Sequence, residues 1–363
     1  MFNKNNKWKS IPPKDTIENI LSILSKEEIY PNIQLNSNQI NDEVNIYSHS
    51  LSCYKAANIS NGKGMSIEYS LASGLAEFIE RLQTECIFPR RYNNQKIYED
   101  EIYENENLKI PFINLLNGEV KYFLQNDLKA SSSANGTASG NTIDEAIVHA
   151  LCEINERYCL YLFTHQQLRV NNAILNKPLY VSKVEQIIQS NITFYDVSLF
   201  DIPTVLMIVQ KYENKNLIGL KIDCAQTIEL AIERCMTEMF QGENIDSNAF
   251  SINVPVLDCE DFDPMVVYKI YSHCMNTQGW YPKILLDSLF QSELNIKQKY
   301  YPNFKDNFEI IKCFLTQGIK YFGNLYIRDY SFLGFPTIKI VAENLLDISK
   351  DIPDMFNKTL LFY

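Results

Sequence analysis

Strands and helices interleave along this sequence, which predicts an α/β class, with α+β as its variant: mixed sheets and helices sharing a core. Three features predict it. Apolar residues recur at three- and four-residue spacing in several segments, short β-branched runs fall between them, and no linker cleanly divides the chain.

Taken in order, Pro12-Pro13 opens a helix over Asp15–Ser25, with Ile17, Ile20, Leu21 and Leu24 at helical spacing. The first fifty residues are otherwise Asn- and Lys-rich. A stronger helix is expected from Tyr69 to about Phe88, with Leu71, Leu75, Phe78, Ile79 and Leu82 on its apolar side. Strand-like runs follow at Lys109–Leu116 and Val120–Leu124. The small-residue segment Ser131–Gly140 then feeds a helix from Thr142 to about Phe163, capped at Asn141-Thr142, with Asp144 and Glu145 in the first turn where the helix dipole favours anions. Further strands are expected at Thr193–Val197, Thr204–Val209, Asn216–Ile222, Lys320–Ile327 and Thr337–Val341, and further helices at Thr227–Phe240 and Asn307–Thr316.

The 363 residues are 46% hydrophobic and 21% charged, a globular composition. A formal charge of −11 argues against a nonspecific nucleic-acid binder, which needs a basic footprint. No apolar run is long enough to span a bilayer, and MFNKNNKWKS has charges but no apolar stretch behind it, so neither membrane nor secretion is expected. Nine scattered cysteines without a CxxC pair read as reduced thiols in a cytoplasmic protein, and four unpaired histidines give no zinc site. Walker, G-x-G-x-x-G and G-x-S-x-G motifs are missing. Asn61-Gly62-Lys63-Gly64 matches a phosphate loop only loosely, and no catalytic side chain is assigned.

One pattern repeats. Ser73, Glu77, Glu80 and Arg81 form S-x-x-x-E-x-x-E-R; Glu153, Glu156 and Arg157 repeat E-x-x-E-R; Glu233, Arg234, Glu238 and Gln241 form a variant. Spacings of three and four stack these side chains on one helical face, and Glu145 and His149 extend the second stripe. A single such helix is ordinarily a solvated face with an intrahelical ion pair. Recurrence on three helices, beside apolar residues, leaves two readings: a duplicated structural helix, or carboxylates converging on hard divalent cations with arginines for phosphate oxygens.

The same residues resemble a known family. Asn61-Gly-Lys-Gly64 with Leu71-Ala-Ser-Gly-Leu-Ala-Glu-Phe-Ile-Glu-Arg-Leu82 is similar to the first signature of the YcaO family. Ala134-Asn-Gly-Thr-Ala-Ser-Gly-Asn-Thr142, running on to Leu151-Cys-Glu-Ile-Asn-Glu-Arg157, resembles the second, and Ala231-Ile-Glu-Arg-Cys-Met-Thr-Glu-Met-Phe-Gln-Gly242 the third. The likeness covers most of the chain and lies in the catalytic region of the founding bacterial member, without its C-terminal helical extension.

The resemblance implies a YcaO-like fold around an acidic site for ATP and Mg2+. Carried over by position, Glu77, Glu80, Glu153, Glu156 and Glu238 would hold the metal. Lys9, Thr16, Ser73, Asn141, Glu145, Arg157 and Arg234 would contact the nucleotide. Ala138 stands where a serine is common and His149 where a glutamine is frequent, but neither removes a metal ligand. The implied organisation is an N-terminal segment, 1–50, packed on a single integrated domain, 51–363. The implied chemistry is ATP-dependent activation of peptide backbone amides: a nucleophile adds to the carbonyl, the oxyanion is phosphorylated, and phosphate leaves. A Cys, Ser or Thr nucleophile gives an azoline, sulfide a thioamide, an amine an amidine. Azoline-forming members often end in a proline-rich tail, whereas Asp351–Tyr363 has one proline, which weighs against azolines. The competing readings are an ATP-binding accessory protein, as in ribosomal-protein methylthiolation, and a non-catalytic paralogue. A peptide substrate, a separate peptide-binding or sulfur-delivering protein and a homodimer are the implied partners.

Overall fold

Pro12-Pro13 pre-sets the backbone for α1 (Pro13–Lys26), and Thr16, Ile20 and Leu24 repeat every four residues to form its buried face. This face packs against α2 (Ile67–Thr84), which buries Leu75, Phe78, Ile79 and Leu82. Both helices were expected, though α2 begins two residues earlier and residues 85–88 lie outside the described region. The computed structural model describes residues 9–40, 44–53, 58–84, 109–124, 128, 136–171, 175–213, 217–241, 280–283, 285–289 and 299–345. Residues 131–135 of the small-residue segment and the C-terminal Asp351–Tyr363 are therefore outside it.

Between α1 and α2 lies an antiparallel sheet that the Asn-rich sequence did not announce: β1 (Asn32–Gln39), β2 (Asn45–Cys53) and β3 (Asn58–Gly64), in that order. Two causes hid it. β1 is exposed on both faces over most of its length, and β2 buries Ser48 and His49, so neither alternates apolar with polar. His49 Nδ1 lies 2.7 Å from Ser70 Oγ of α2, which satisfies the buried ring. The Asn61–Gly64 segment is strand β3, not a phosphate loop. It presses onto α2 so closely that a Cβ on Gly62 would stand 2.0 Å from the Ser70 carbonyl oxygen and 2.3 Å from the Gly74 nitrogen.

A second sheet runs β10-β9-β8-β7, all antiparallel, from β7 (Ser190–Asp196), β8 (Thr204–Lys211), β9 (Leu217–Cys224) and β10 (Trp280–Pro282). A third runs β5-β4-β11-β12-β6, from β4 (Lys109–Asn114), β5 (Val120–Leu124), β6 (Thr137–Ser139), β11 (Leu325–Asp329) and β12 (Thr337–Ala342). The long helix α3 (Ile143–Thr164) packs on β9 of the second sheet and on β6 and β12 of the third, which explains why twelve of its residues are buried. Thr142 caps it, accepting from the Glu145 backbone N–H at 3.3 Å. A short α4 (Val181–Ile187) and α5 (Ile228–Glu238) cover the second sheet, α5 capped by Thr227; α6 (Leu285–Leu289) packs near α3.

One expected strand is displaced. The run from Lys320 begins as helix: α7 (Asn307–Cys313) continues through a π turn at Phe314–Gly318 into α8 (Ile319–Phe322), and β11 starts only at Leu325. Phe314 and Phe322 anchor that helix in the core, and Gly323 at φ 67° ends it. Tyr321, Phe322 and Tyr326 give the segment an aromatic composition that suits a strand, but tertiary packing decided for helix at its start.

The Gly62 contact is backbone against backbone and cannot be relieved by a rotamer change. Gly62→Ala is expected to lower stability by about 1–3 kcal/mol, the usual range for overpacking. A urea titration would show it as a lower midpoint with an unchanged slope.

Candidate functional site

α2, α3 and α5 turn their glutamate stripes into one groove, floored by β3, β6, β9 and β12. On α2, Glu77 Oε1 pairs with Arg81 at 2.7 Å while its Oε2 accepts from the Asn61 backbone N–H at 3.3 Å. Ser73 lies one turn before Glu77 on the same face. Glu80, one turn on, accepts from the Ser139 backbone N–H, and desolvation, then repulsion by Glu153 and Glu77, pushes its carboxyl well above the usual range.

On α3, Glu153 accepts from the Gly136 backbone N–H and lies 3.7 Å from Arg157. Glu156 accepts from the Cys224 backbone N–H at 2.8 Å and faces Arg234 at 3.5 Å. Desolvation, then the neighbouring Asp223, raises Glu156 well above the ordinary carboxylate value. On α5, Arg234 also grips buried Asp223 through Nε. Glu238 contacts Lys63 of β3 and lies 4.0 Å from Lys221 of β9. Gln241 donates to the Asn61 carbonyl.

The other end of the groove gathers the N-terminal positions. Glu145 is buried; its Oε2 accepts from the Asn141 backbone N–H at 3.1 Å and from its Nδ2 at 3.2 Å, and lies 3.6 Å from Lys9. The Ser10 backbone N–H donates to Oε1. Thr16 Oγ1 donates to Asn141 Oδ1 at 2.9 Å. Lys9, Thr16, Asn141 and Glu145, far apart in sequence, thus form one cluster. Eleven of the twelve positions singled out from the sequence make contacts in this charged cluster, and Ser73 is placed beside Glu77 by helical spacing alone. His149, on the α3 stripe, is exposed.

Four charged residues of the groove were not singled out: Lys63, Lys221, Asp223 and Lys339. Each had a signal. Lys221 and Asp223 share one face of β9, Lys63 sat within the loosely matched glycine segment, and Lys339 is the single charge in Thr337–Ala342. Burial pulls the Lys339 ammonium down to about 8, against the pull of Glu153 and Glu80.

Whether this donor set suits Mg2+ and ATP can be tested on the side chains. Carboxylate oxygens are the ligands a hard cation takes. Among the described residues no three acidic, histidine or cysteine groups are gathered tightly enough to hold a metal by themselves; the carboxylates lean on lysines and arginines instead. A site completed by phosphate oxygens has that character. Arg157 Nε is buried with no hydrogen-bond acceptor, a donor awaiting an anion. The residues fit.

The family model described as YcaO cyclodehydratase, ATP- and Mg2+-binding, matches residues 110–345. The chain belongs to the YcaO family. ATP and Mg2+, the cofactors implied by the sequence signatures, are those of that description. An Escherichia coli YcaO, named ribosomal protein S12 methylthiotransferase accessory factor, is 22% identical over 79% of this chain and 57% of its own length. A Haemophilus influenzae protein of uncharacterized role is 23% identical over 53% of this chain and 42% of its own. The chain therefore spans about half the length of these relatives.

Solved YcaO-type structures share the fold. A heterocyclase in complex with substrate and cofactor superposes with a TM-score of 0.60 and 17% identity, over 92% of this chain and 52% of that one. YcaO from Methanopyrus kandleri, bound with AMPPCP and Mg2+, gives 0.57 and 16% over 95% and 96%. The E. coli microcin synthetase McbBCD complex with its bound precursor gives 0.55 and 16% over 86% and 88%. At such identities they establish the α/β fold of mixed helices and antiparallel sheets. Among the described residues no helix is long and apolar enough to cross a membrane.

A carboxyl raised in the folded state binds a proton that the unfolded chain has released, so its contribution to stability declines as pH rises above about 4.5. In metal-free buffer the stability of wild type relative to Glu80→Gln is therefore expected to fall progressively from pH 4.5 to pH 8. Denaturation midpoints measured across that range check it, and added Mg2+ should reduce the difference.

Proposed function

We propose that this chain is an ATP-dependent enzyme that O-phosphorylates backbone amides of a ribosomally made peptide. The observation that carries the reading is the convergence of Glu77, Glu80, Glu153, Glu156 and Glu238 from three helices beside the unpartnered Arg157 Nε. The five glutamates would hold Mg2+. Arg157 and Arg234 would reach phosphate oxygens, and Lys9, Thr16, Ser73, Asn141 and Glu145 would seat the nucleotide. When bound, ATP supplies the phosphoryl group and Mg2+ neutralises its charge. The chain's own work is positioning and charge neutralisation, so no protein nucleophile is required.

In this reading the amide oxygen must face the arginine side of the groove while the incoming nucleophile adds to the carbonyl carbon. The product is an azoline, a thioamide or an amidine according to that nucleophile. A separate protein that binds the peptide or delivers sulfur fits an acidic chain, and the assembly named in the McbBCD structure is a precedent for partners. The segment 1–50 and the domain 51–363 act as one unit in the cytoplasm, since Lys9 and Thr16 complete the nucleotide end. One observation favours a second reading: the E. coli relative is named as an accessory factor, which suits ATP binding in support of another modification.

Calorimetric titration of ATP with and without Mg2+ tests the site. Wild type is expected to bind only with Mg2+, and Glu153→Ala to lose that binding by at least about tenfold, the effect of one charge-assisted contact. Binding by neither protein would refute the proposal. Phosphate release stimulated by a peptide supports the enzyme, and binding without turnover supports the accessory reading.

A further inference from the structure

The edge of a sheet is a row of unpaired backbone donors and acceptors, and folded chains blunt such rows. Most edges of the three sheets are blunted. On β3 the Asn61 N–H goes to Glu77 and its carbonyl accepts from Gln241. On β7 the Phe194 and Asp196 carbonyls accept from the Leu175 and Asn171 N–H groups, and the Ile192 N–H goes to Glu185. β6 and β10 have three residues each, β10 ending in Pro282, and five-residue β5 carries Lys121. β1 has none of these devices. Its eight residues include no charge, proline or glycine, and they pair with β2 in unbroken register, without a bulge. Among the described residues no strand lies on its other side.

The register defines what that side offers. Ile40 donates to the Val44 carbonyl, so alternate residues from Ile40 back to Asn32 bond to β2, and Ile33, Leu35, Ser37 and Gln39 turn their backbone groups outward. The Ile33 and Leu35 side chains are exposed, although Leu51 and His49 opposite them are buried against α2.

We propose that β1 pairs antiparallel with β1 of a second copy of this chain, about a two-fold axis at Asn36. That register sets Ile33 opposite the partner's Gln39 and Leu35 opposite the partner's Ser37. Every outward residue then meets another outward residue, and each such pair exchanges two hydrogen bonds. Charge selects the second copy as the occupant. Two chains of formal charge −11 repel, and a strand paired with itself sets like charges together wherever it carries any. β1 carries none. The two three-stranded sheets become one sheet of six. Because Asn36 faces Ser48 and Ser48 faces Lys63, the Lys63 positions of the two grooves lie about 24 Å apart, five strand spacings.

Sedimentation equilibrium of the full chain over a range of concentrations tests the pairing. Wild type is expected to show a monomer–dimer equilibrium. Leu35→Lys, which brings two ammonium groups together beside the axis, should raise the dissociation constant by about tenfold or more. Ser37→Pro should do the same with a melting temperature near wild type, because the Ser37 N–H points away from β2. Asn36→Cys sets a thiol opposite its own copy and should cross-link under mild oxidation beyond the wild-type background. Gln34→Cys, opposite the partner's Asn38, should not. The two cysteine variants decide the question if Leu35→Lys and Ser37→Pro do not fold. A wild type that stays monomeric, a dimer that both substitutions leave intact, or no more cross-linking in Asn36→Cys than in Gln34→Cys would overturn the proposal. A monomeric wild type that takes up a synthetic peptide of residues 30–40 would give the edge to a foreign strand, and so would overturn the second copy.

Discussion

Carboxylates stacked on helices that face one another repel, and in a groove that strips their water the repulsion is strong. Much of this architecture answers that constraint. β3 brings the Asn61 N–H to Glu77 and Lys63 to Glu238. β9 brings Lys221 to Glu238, Asp223 to Arg234 and the Cys224 N–H to Glu156. The β6 segment gives Gly136 and Ser139 N–H groups to Glu153 and Glu80, and Lys339 of β12 adds a positive charge to their surroundings. Strands from all three sheets thus converge on one set of charges.

Backbone donors in these positions demand close approach. Gly136 sits at φ +71°, and a Cβ there would stand 2.3 Å from the Ile340 carbonyl oxygen of β12. That backbone geometry lets its N–H reach Glu153 while its carbonyl accepts from Ile340 at 2.7 Å. Gly62 plays the matching part against α2. Small residues in the signature segments are therefore the means by which peptide N–H groups come within reach of glutamates.

The helices were legible in the sequence because α1, α2, α3 and α5 carry apolar residues at helical spacing, joined in α1 by a proline start and in α3 by a capping residue, signals that are local. The glutamate stripes were legible for the same reason, since three- and four-residue spacing is a property of one helix. What escaped was non-local. β1 and β2 carry no alternation, because β1 is solvated on both faces and β2 buries Ser48 and His49. Lys339 and Asp223 acquire meaning only when β12 and β9 are laid beside α2, α3 and α5. Lys9 and Thr16 could be placed only through family likeness, and their meeting with Glu145 and Asn141 depends on how α1 packs.

The groove's named carboxylates are Glu77, Glu80, Glu145, Glu153, Glu156, Asp223 and Glu238. All of these but Glu80, whose carboxyl is held well above the usual range, pair with Arg81, Lys9, Arg157, Arg234, Lys221 and Lys63. A balanced groove discriminates by total charge. A bare nucleotide would add several negative charges beside the glutamates, and a bare divalent ion would crowd the lysines. A nucleotide and divalent ions entering together nearly cancel and disturb the balance least. Internal pairs must also open for either to coordinate, so the resting ion pairs hold the glutamates in place while raising the threshold for a lone ion. On this argument, dependence of nucleotide binding on the metal follows from the ion pairs as much as from metal–phosphate chemistry.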